Sequence, residues 1–242
     1  MELERDRRRC VESAAHLTCL SEYLRAFTHE INNPLTVVYG EALRLRERVG
    51  AGHLRDSEVL HSTEIFERMS QRMIALTQEL AAVLRTGGKS EDIGVRELMD
   101  LALKYSGREI ERQAIDLDLS GLESRHQVRG RPLQMARALY NLIQNATEAL
   151  GQKSAGQPRQ LRIWSEENLP DSLLVLHICD NGPGVEASLR ERLFEPFVSS
   201  KTQGAGLGLF AARLWLEQNG ASVTCQSDEA ETRFSVTFVS RP

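Results

Sequence analysis

Apolar residues recur every seven positions along the start of the chain, at Leu3, Cys10, Leu17, Leu24, Ile31, Val38 and Leu45, with Leu20 and Phe27 between them. A sevenfold repeat with intermediate apolar positions is the seam of a helix that packs in coiled-coil fashion. Gly50-Ala51-Gly52 then signals a turn. A second seam follows at Val59, Ser62, Phe66, Met69, Met73, Leu76, Leu80 and Val83, in steps of three and four. It stops at Gly87-Gly88, a helix-ending pair. Two seamed helices joined by a short turn predict a helical hairpin. One hairpin buries only part of its apolar surface, so a homodimer forming a four-helix bundle is expected.

The texture changes near residue 89. A short helix is predicted at Val95 to Tyr105, and longer ones at Pro132 to Leu150 and Leu207 to Asn219. Strand-like runs lie at Ile115 to Leu119, Leu161 to Ser165, Leu173 to Cys179, Ala221 to Gln226 and Arg233 to Val239. Mixed strands and helices over this length suit one layered α+β domain. The expected division is 1–88 for the hairpin and 89–242 for the mixed domain.

Composition narrows the class. The 242 residues carry a formal net charge of −4, which gives no electrostatic ground for a nucleic-acid partner or an anionic membrane. The basic run Arg5 to Arg9, interrupted by Asp6, reads as a solvated helix face. Cys10, Cys19, Cys179 and Cys225 have neither metal-ligand nor redox spacing, and read as free thiols in a reducing compartment. No apolar stretch is long enough to span a bilayer.

Candidate chemistry begins at Thr28-His29-Glu30-Ile31-Asn32-Asn33-Pro34-Leu35. With Leu24 and Ile31 on the seam, His29 falls on the solvent side, and Asn33 follows it one turn later. An exposed imidazole keeps a nucleophilic nitrogen near neutral pH, and an adjacent carboxylate such as Glu30 can accept the other ring N–H. Pro34 removes a helical hydrogen bond to the Glu30 carbonyl and predicts a bend just past the histidine. A broken local rule in a well-patterned helix often marks function.

Three further motifs follow in order. Asn141, Asn145 and Glu148 fall on one face of a helix whose Leu139, Ile143 and Leu150 face a core. Their oxygens suit a hydrated Mg²⁺, although the same pattern also makes a plain polar stripe. Asp180-Asn181-Gly182-Pro183-Gly184 ends an apolar strand; its carboxylate can accept from an exocyclic amine, or the segment is an ordinary turn. Gly204-Ala205-Gly206-Leu207-Gly208-Leu209 opens a helix, where glycines and the helix dipole can hold phosphate. Phe194 to Lys201 precedes it instead of a strand, which argues against a dinucleotide fold. Phe194 and Phe197 are expected to anchor a lid, and Lys201 to reach phosphates or remain a solvated loop lysine.

Taken together and in order, these segments resemble the transmitter region of two-component sensor histidine kinases. His29 to Leu35 resembles the phospho-acceptor box, Asn141 to Glu148 the N box, Asp180 to Gly184 the G1 box, Phe194 to Phe197 the F box and Gly204 to Leu209 the G2 box. The resemblance implies a dimeric four-helix bundle followed by an α/β sandwich shared with chaperone and topoisomerase ATPases. It implies that His29 is phosphorylated from ATP, that Glu30 is its general base, and that Asn33 orients water when a partner is dephosphorylated. Asn145 would ligate Mg²⁺, with Asn141 near the phosphates. Asp180 would hold the adenine amine. Gly182, Gly184, Lys201, Gly204, Gly206, Leu207 and Gly208 would line the nucleotide. The implied partners are a second copy of the chain and a response regulator receiver domain.

Fewer than 30 residues precede His29, so the signal is expected from an upstream region or from another protein. The expected location is cytoplasmic, alone or as the inner part of a membrane-anchored parent. The stretch between the G boxes is short, which leaves the lid's shape open. Three other readings remain: an ATPase of the same superfamily that attacks with water, a scaffold or phosphotransfer protein with a dead nucleotide site, and an enzyme that works chiefly as a phosphatase through Asn33.

Overall fold

The computed structural model describes residues 2–52, 55–84, 88–122, 126–168, 173–199 and 206–239. The chain divides into two compact units, Met1–Leu84 and Arg85–Pro242.

The first unit is a hairpin of α1 (Glu2–Gly50) and α2 (Asp56–Leu84). Its α1 seam runs Phe27, Ile31, Pro34, Val38, Glu41, Leu45, and its α2 seam Ser62, Phe66, Met69, Met73, Leu76, Leu80; every member is buried or half-buried. Both series step by four and three, the period that keeps one face toward a partner helix. The expected sevenfold series therefore holds from Ile31 onward, and the second series continues through Pro34 and Glu41. Leu24 and Val59, taken as seam residues, are exposed at 40% and 38% within this single chain. Leu3, Cys10, Leu17, Leu20 and Val83 lie outside the residues whose side chains are described. The helix runs unbroken through Pro34, which is buried in the seam.

A polar layer interrupts that seam. Ser62 is fully buried and donates to Glu41. Arg44 grips the same carboxylate with two N–H groups, at 2.9 and 2.6 Å. Arg48 reaches Glu58 at 3.1 Å. Arg44 and then Ser62 hold the Glu41 carboxyl at about 2, well below the usual carboxylate range. Because the native state binds the proton more weakly than the unfolded chain, this group stabilises the fold above about pH 4.5, and that contribution is lost as pH falls toward about 2. Replacing Glu41 with Gln is expected to flatten the acid side of the melting-temperature profile. Circular dichroism melts from pH 7 to 2.5 check this, and an unchanged acid slope would assign the acid sensitivity to other carboxylates.

The second unit begins with β1 (Glu91–Gly94) and α3 (Val95–Arg112), followed by β2 (Asp116–Asp118), β3 (Gln127–Gly130) and α4 (Pro132–Gly151). Then come β4 (Gln160–Asn168), β5 (Leu173–Asp180), a 3₁₀ turn at Ala187–Arg192, α5 (Gly208–Gln218), β6 (Ser222–Ser227) and β7 (Thr232–Val239). The main sheet has the order β2-β4-β5-β7-β6, and β1 pairs with β3 in a separate two-stranded sheet. Only β2 and β4 of the main sheet run parallel.

Alternation along the strands explains the layering. Leu161 and Ile163 of β4, Leu174, Leu176 and Ile178 of β5, and Phe234, Val236 and Phe238 of β7 are at most 2% exposed. They share one face with Leu98, Leu139, Leu142, Ile143 and Leu216 of the helices, all at 0%. The opposite sheet face carries Arg162, Trp164 and His177, with Trp164 stacked on His177 at 4.7 Å. The result is a two-layer α/β sandwich. The helix expected at 95–105 extends to Arg112, and the strand expected at 161–165 extends to Asn168.

Candidate functional site

On the hairpin, His29 is exposed, and so is Asn33 one turn further on. Both project away from the α2 seam, because Phe27, Ile31 and Pro34 occupy the buried face. Flanking hydroxyls are absorbed locally: Thr28 and Thr36 each donate to the carbonyl four residues back at 2.8 Å. Glu30 departs from the expected pairing with His29. Its carboxylate turns toward α2, where Arg72 Nη2 lies 3.0 Å from Oε2. Both side chains are only partly exposed, at 22% and 29%.

In the second unit the remaining candidates gather along α4. Asp180 ends β5 at 1% exposure, and its Oδ1 accepts the Gly182 N–H at 2.9 Å. Gly182 packs against the C-terminal end of α4, since a Cβ there would lie 3.1 Å from the Ala149 Cβ. At the other end, Asn141 Nδ2 donates to the Gly208 carbonyl at 2.9 Å, which ties α4 to the first turn of α5. Asn145 sits midway. The eight helical steps from Asn141 to Ala149 span about 12 Å. The site is thus an elongated strip with a buried carboxylate at one end and a helix start at the other. Among the described residues no side chain caps the N-terminus of α5.

The loop after Asp180 is pinned on both sides. Asn181 Oδ1 accepts the Gln160 N–H at 2.9 Å, and the Asn181 carbonyl accepts from Lys153 at 2.6 Å. Val185 N–H donates to Ser227 at 2.9 Å. Gly184 has φ +80°, a left-handed conformation, and a Cβ there would run into the Asp228 carbonyl of the β6–β7 turn. Burial, and then the nearby Asp180 charge, push the Cys225 thiol up to about 12, so it stays protonated beside the carboxylate.

The lid's base is also closed. Phe197 N–H donates to the Gly206 carbonyl at 2.9 Å, with Phe197 at φ +66° and Gly206 at φ +67°. A Cβ on Gly206 would come within 2.6 Å of the Phe197 backbone. Phe194 packs edge-on against Phe234 of the sheet core, with centroids 6.2 Å apart. Leu207 is 1% exposed and seals the entry to α5. Lys201 and Gly204 lie outside the described residues.

Asn141 and Asn145 thus lie on α4 with Gly208 at the start of α5 beside Asn141, Leu207 just before it, and Asp180 and Gly182 at the other end; Gly184 lies against the β6–β7 turn, Gly206 against Phe197, and His29, Glu30 and Asn33 on the hairpin. Four contributors escaped the sequence reading: Arg72, Cys225, Ser227 and Thr232. Thr232 is 3% exposed and sits directly across the sheet from Asp180, a pairing that only strand register reveals. Arg72 had a signal, since it adjoins the seam residue Met73.

No helix among the described residues is long and apolar enough to cross a membrane. Among those residues no group of three or more His, Cys, Asp or Glu side chains could hold a metal alone.

Residues 130–242 match the family model described as histidine kinase-, DNA gyrase B-, and HSP90-like ATPase. The C4-dicarboxylate transport sensor protein DctB of Rhizobium meliloti (strain 1021) is 29% identical over 229 residues, covering 92% of this chain and 35% of that protein. The sensor protein kinase PilS of Pseudomonas aeruginosa is 30% identical over 227 residues, covering 92% and 41%. The chain thus spans well under half the length of these relatives. Among solved structures, histidine kinase ThkA in complex with response regulator protein TrrA aligns over 100% of this chain and 66% of that one, at 22% identity and a TM-score of 0.69, a likeness of fold. Residues 130–242 thus form a histidine kinase-, DNA gyrase B- and HSP90-like ATPase domain, and the fold and the relatives support a two-component histidine kinase transmitter core.

Proposed function

We propose that the chain is an ATP-dependent protein histidine autokinase that phosphorylates His29 and passes the phosphoryl group to an aspartate of a response regulator receiver domain. The carrying observation is the exposed imidazole of His29 on a helix that continues past it without a break. Asp180 would accept the exocyclic amine of adenine at the buried end of the strip. Asn141, Lys201 and the start of α5 would face the phosphates, with Gly204 lining the nucleotide. Asn145 would hold Mg²⁺, which neutralises charge on the transferring phosphoryl group.

One ring nitrogen of His29 attacks the γ-phosphorus in line. The N–P bond forms as the bond to the bridging oxygen breaks, and ADP leaves. Glu30 takes the proton of the other ring nitrogen. Positioning and charge neutralisation carry most of the rate. Asn33, exposed on the same face, is placed to orient water for the reverse task, hydrolysis of a phosphorylated regulator.

The unit with the hairpin would serve as dimerisation and phosphotransfer domain, within 1–88, and 89–242 as the ATP-binding domain. Apolar exposure supports the second copy: Leu24, Leu35 and Val49 are 40%, 46% and 61% exposed. At 100° per residue they fall within about 40° of one another on α1. ThkA, whose structure holds a response regulator protein, supports a receiver as the second partner. An upstream sensor region or sensor protein would supply the signal.

The test is incubation with γ-labelled ATP. The expected product is an acid-labile, base-stable phosphoryl group located on His29 by peptide mass spectrometry and discharged by a receiver domain. Label on a serine or aspartate, or release of free phosphate with no labelled protein, would overturn the reading.

A further inference from the structure

Among the described residues, the polar partner of Glu30 is not the histidine beside it but Arg72, 42 residues away on α2. Glu30 and His29 are neighbours in sequence, yet one helical step turns their side chains about 100° apart. His29 points to solvent, whereas the Glu30 carboxylate bends toward the α2 seam and is claimed there by a guanidinium. A carboxylate oxygen engaged with a cation cannot at the same time accept an imidazole N–H with full strength. Arginine is suited to hold such a contact, because its charge is permanent and its fork is rigid.

We propose that Arg72 is a positioning residue that competes with His29 for the Glu30 carboxylate, so that the hairpin rests in a latched state and phosphorylation requires the pair to open. This rests on the autokinase reading above. The latch couples the two helices at the level of the phospho-acceptor. A rotation or slide of α1 against α2 would therefore reach the base directly, without passing through the nucleotide site. The pair is partly exposed, so the restraint is modest and reversible.

Arg72→Ala and Arg72→Gln are expected to raise the autophosphorylation kcat about two- to fivefold, the range of a partly exposed ion pair, with KM for ATP unchanged. Arg72→Lys, which keeps a cation but loses the fork, gives a smaller gain. In a Glu30→Gln background the same Arg72 substitutions change nothing. Nitrogen chemical shifts of the His29 ring provide a readout independent of turnover: they move in Arg72→Gln and stay put in the Glu30→Gln double variant. Circular dichroism confirms folding for each.

A fall in kcat, an equal gain in both backgrounds, a change confined to KM, or unmoved ring shifts would each overturn the latch. A labelled wild-type chain with an unresponsive Arg72→Gln variant sinks the latch alone. A wild-type chain that never labels sinks the kinase reading and the latch with it.

Discussion

His29→Gln loses phosphoryl incorporation from γ-labelled ATP down to background, a drop of at least about a thousandfold, while nucleotide affinity stays within about twofold of wild type. Glutamine keeps the size and polarity of an exposed helical side chain and is a better helix former than histidine, so the hairpin is not weakened. What disappears is the nucleophilic ring nitrogen. The proposed nucleotide strip belongs to the other unit, built from α4, α5 and the end of β5. Binding of a fluorescent nucleotide checks that half of the expectation.

Three competing histidines lie among the described side chains, and His16 and His53 lie outside them. His126 is 5% exposed and hydrogen-bonded to Ser165, and His177 is half-buried against Trp164, so neither presents a free ring nitrogen. Burial also lowers the His177 pKa. His61 is exposed on α2 and is the proper control. His61→Gln leaves labelling intact if His29 is the acceptor. Retained labelling in His29→Gln, with loss in His61→Gln, would move the phospho-acceptor to the second helix.

Much of this was legible because burial imposes a period. The two seams dictated the hairpin, and the phase of Ile31 placed His29 outward before any coordinates. The Asn141, Asn145 and Glu148 face was equally readable, since Leu139, Ile143 and Leu150 had to occupy the other side. What escaped the sequence has a physical reason in each case. The strands β1 and β3 are four residues long, too short for alternation to register, and β1 reads Glu-Asp-Ile-Gly. Pro34 lies inside the continuous helix α1 and is buried on the seam side. Glu30 was assigned to its neighbour His29 by adjacency, whereas the helical turn and the cation on α2 decide where a carboxylate goes. The polar layer at Glu41 and Ser62 was half visible, as a serine in an apolar series whose partner lies 21 residues away.

Gly184→Ala is expected to cut nucleotide affinity by more than tenfold, and with it the labelling of His29. Two costs combine. The residue sits at φ +80°, where an L side chain is strained. A Cβ would also lie 2.0 Å from the Asp228 carbonyl oxygen, an impossible approach to a backbone atom. That turn cannot retreat: Asp228 N–H is bound to the Glu231 carbonyl at 3.0 Å, and its side chain accepts from Ala230 and Glu231 at 2.8 and 3.0 Å. The loop after Asp180 must therefore move instead, breaking the Val185 to Ser227 bond and shifting the carboxylate end of the strip. Gly156→Ala separates the two costs, because Gly156 has φ +86° with nothing within 4 Å. It should lower the melting temperature slightly and leave nucleotide binding unchanged. Isothermal titration with a non-hydrolysable ATP analogue decides the matter. Wild-type affinity in Gly184→Ala would mean that the Asp180 to Gly184 loop is not part of the nucleotide floor. The pair of variants also dissects the reaction: His29→Gln loses transfer and keeps binding, whereas Gly184→Ala loses transfer because binding goes first.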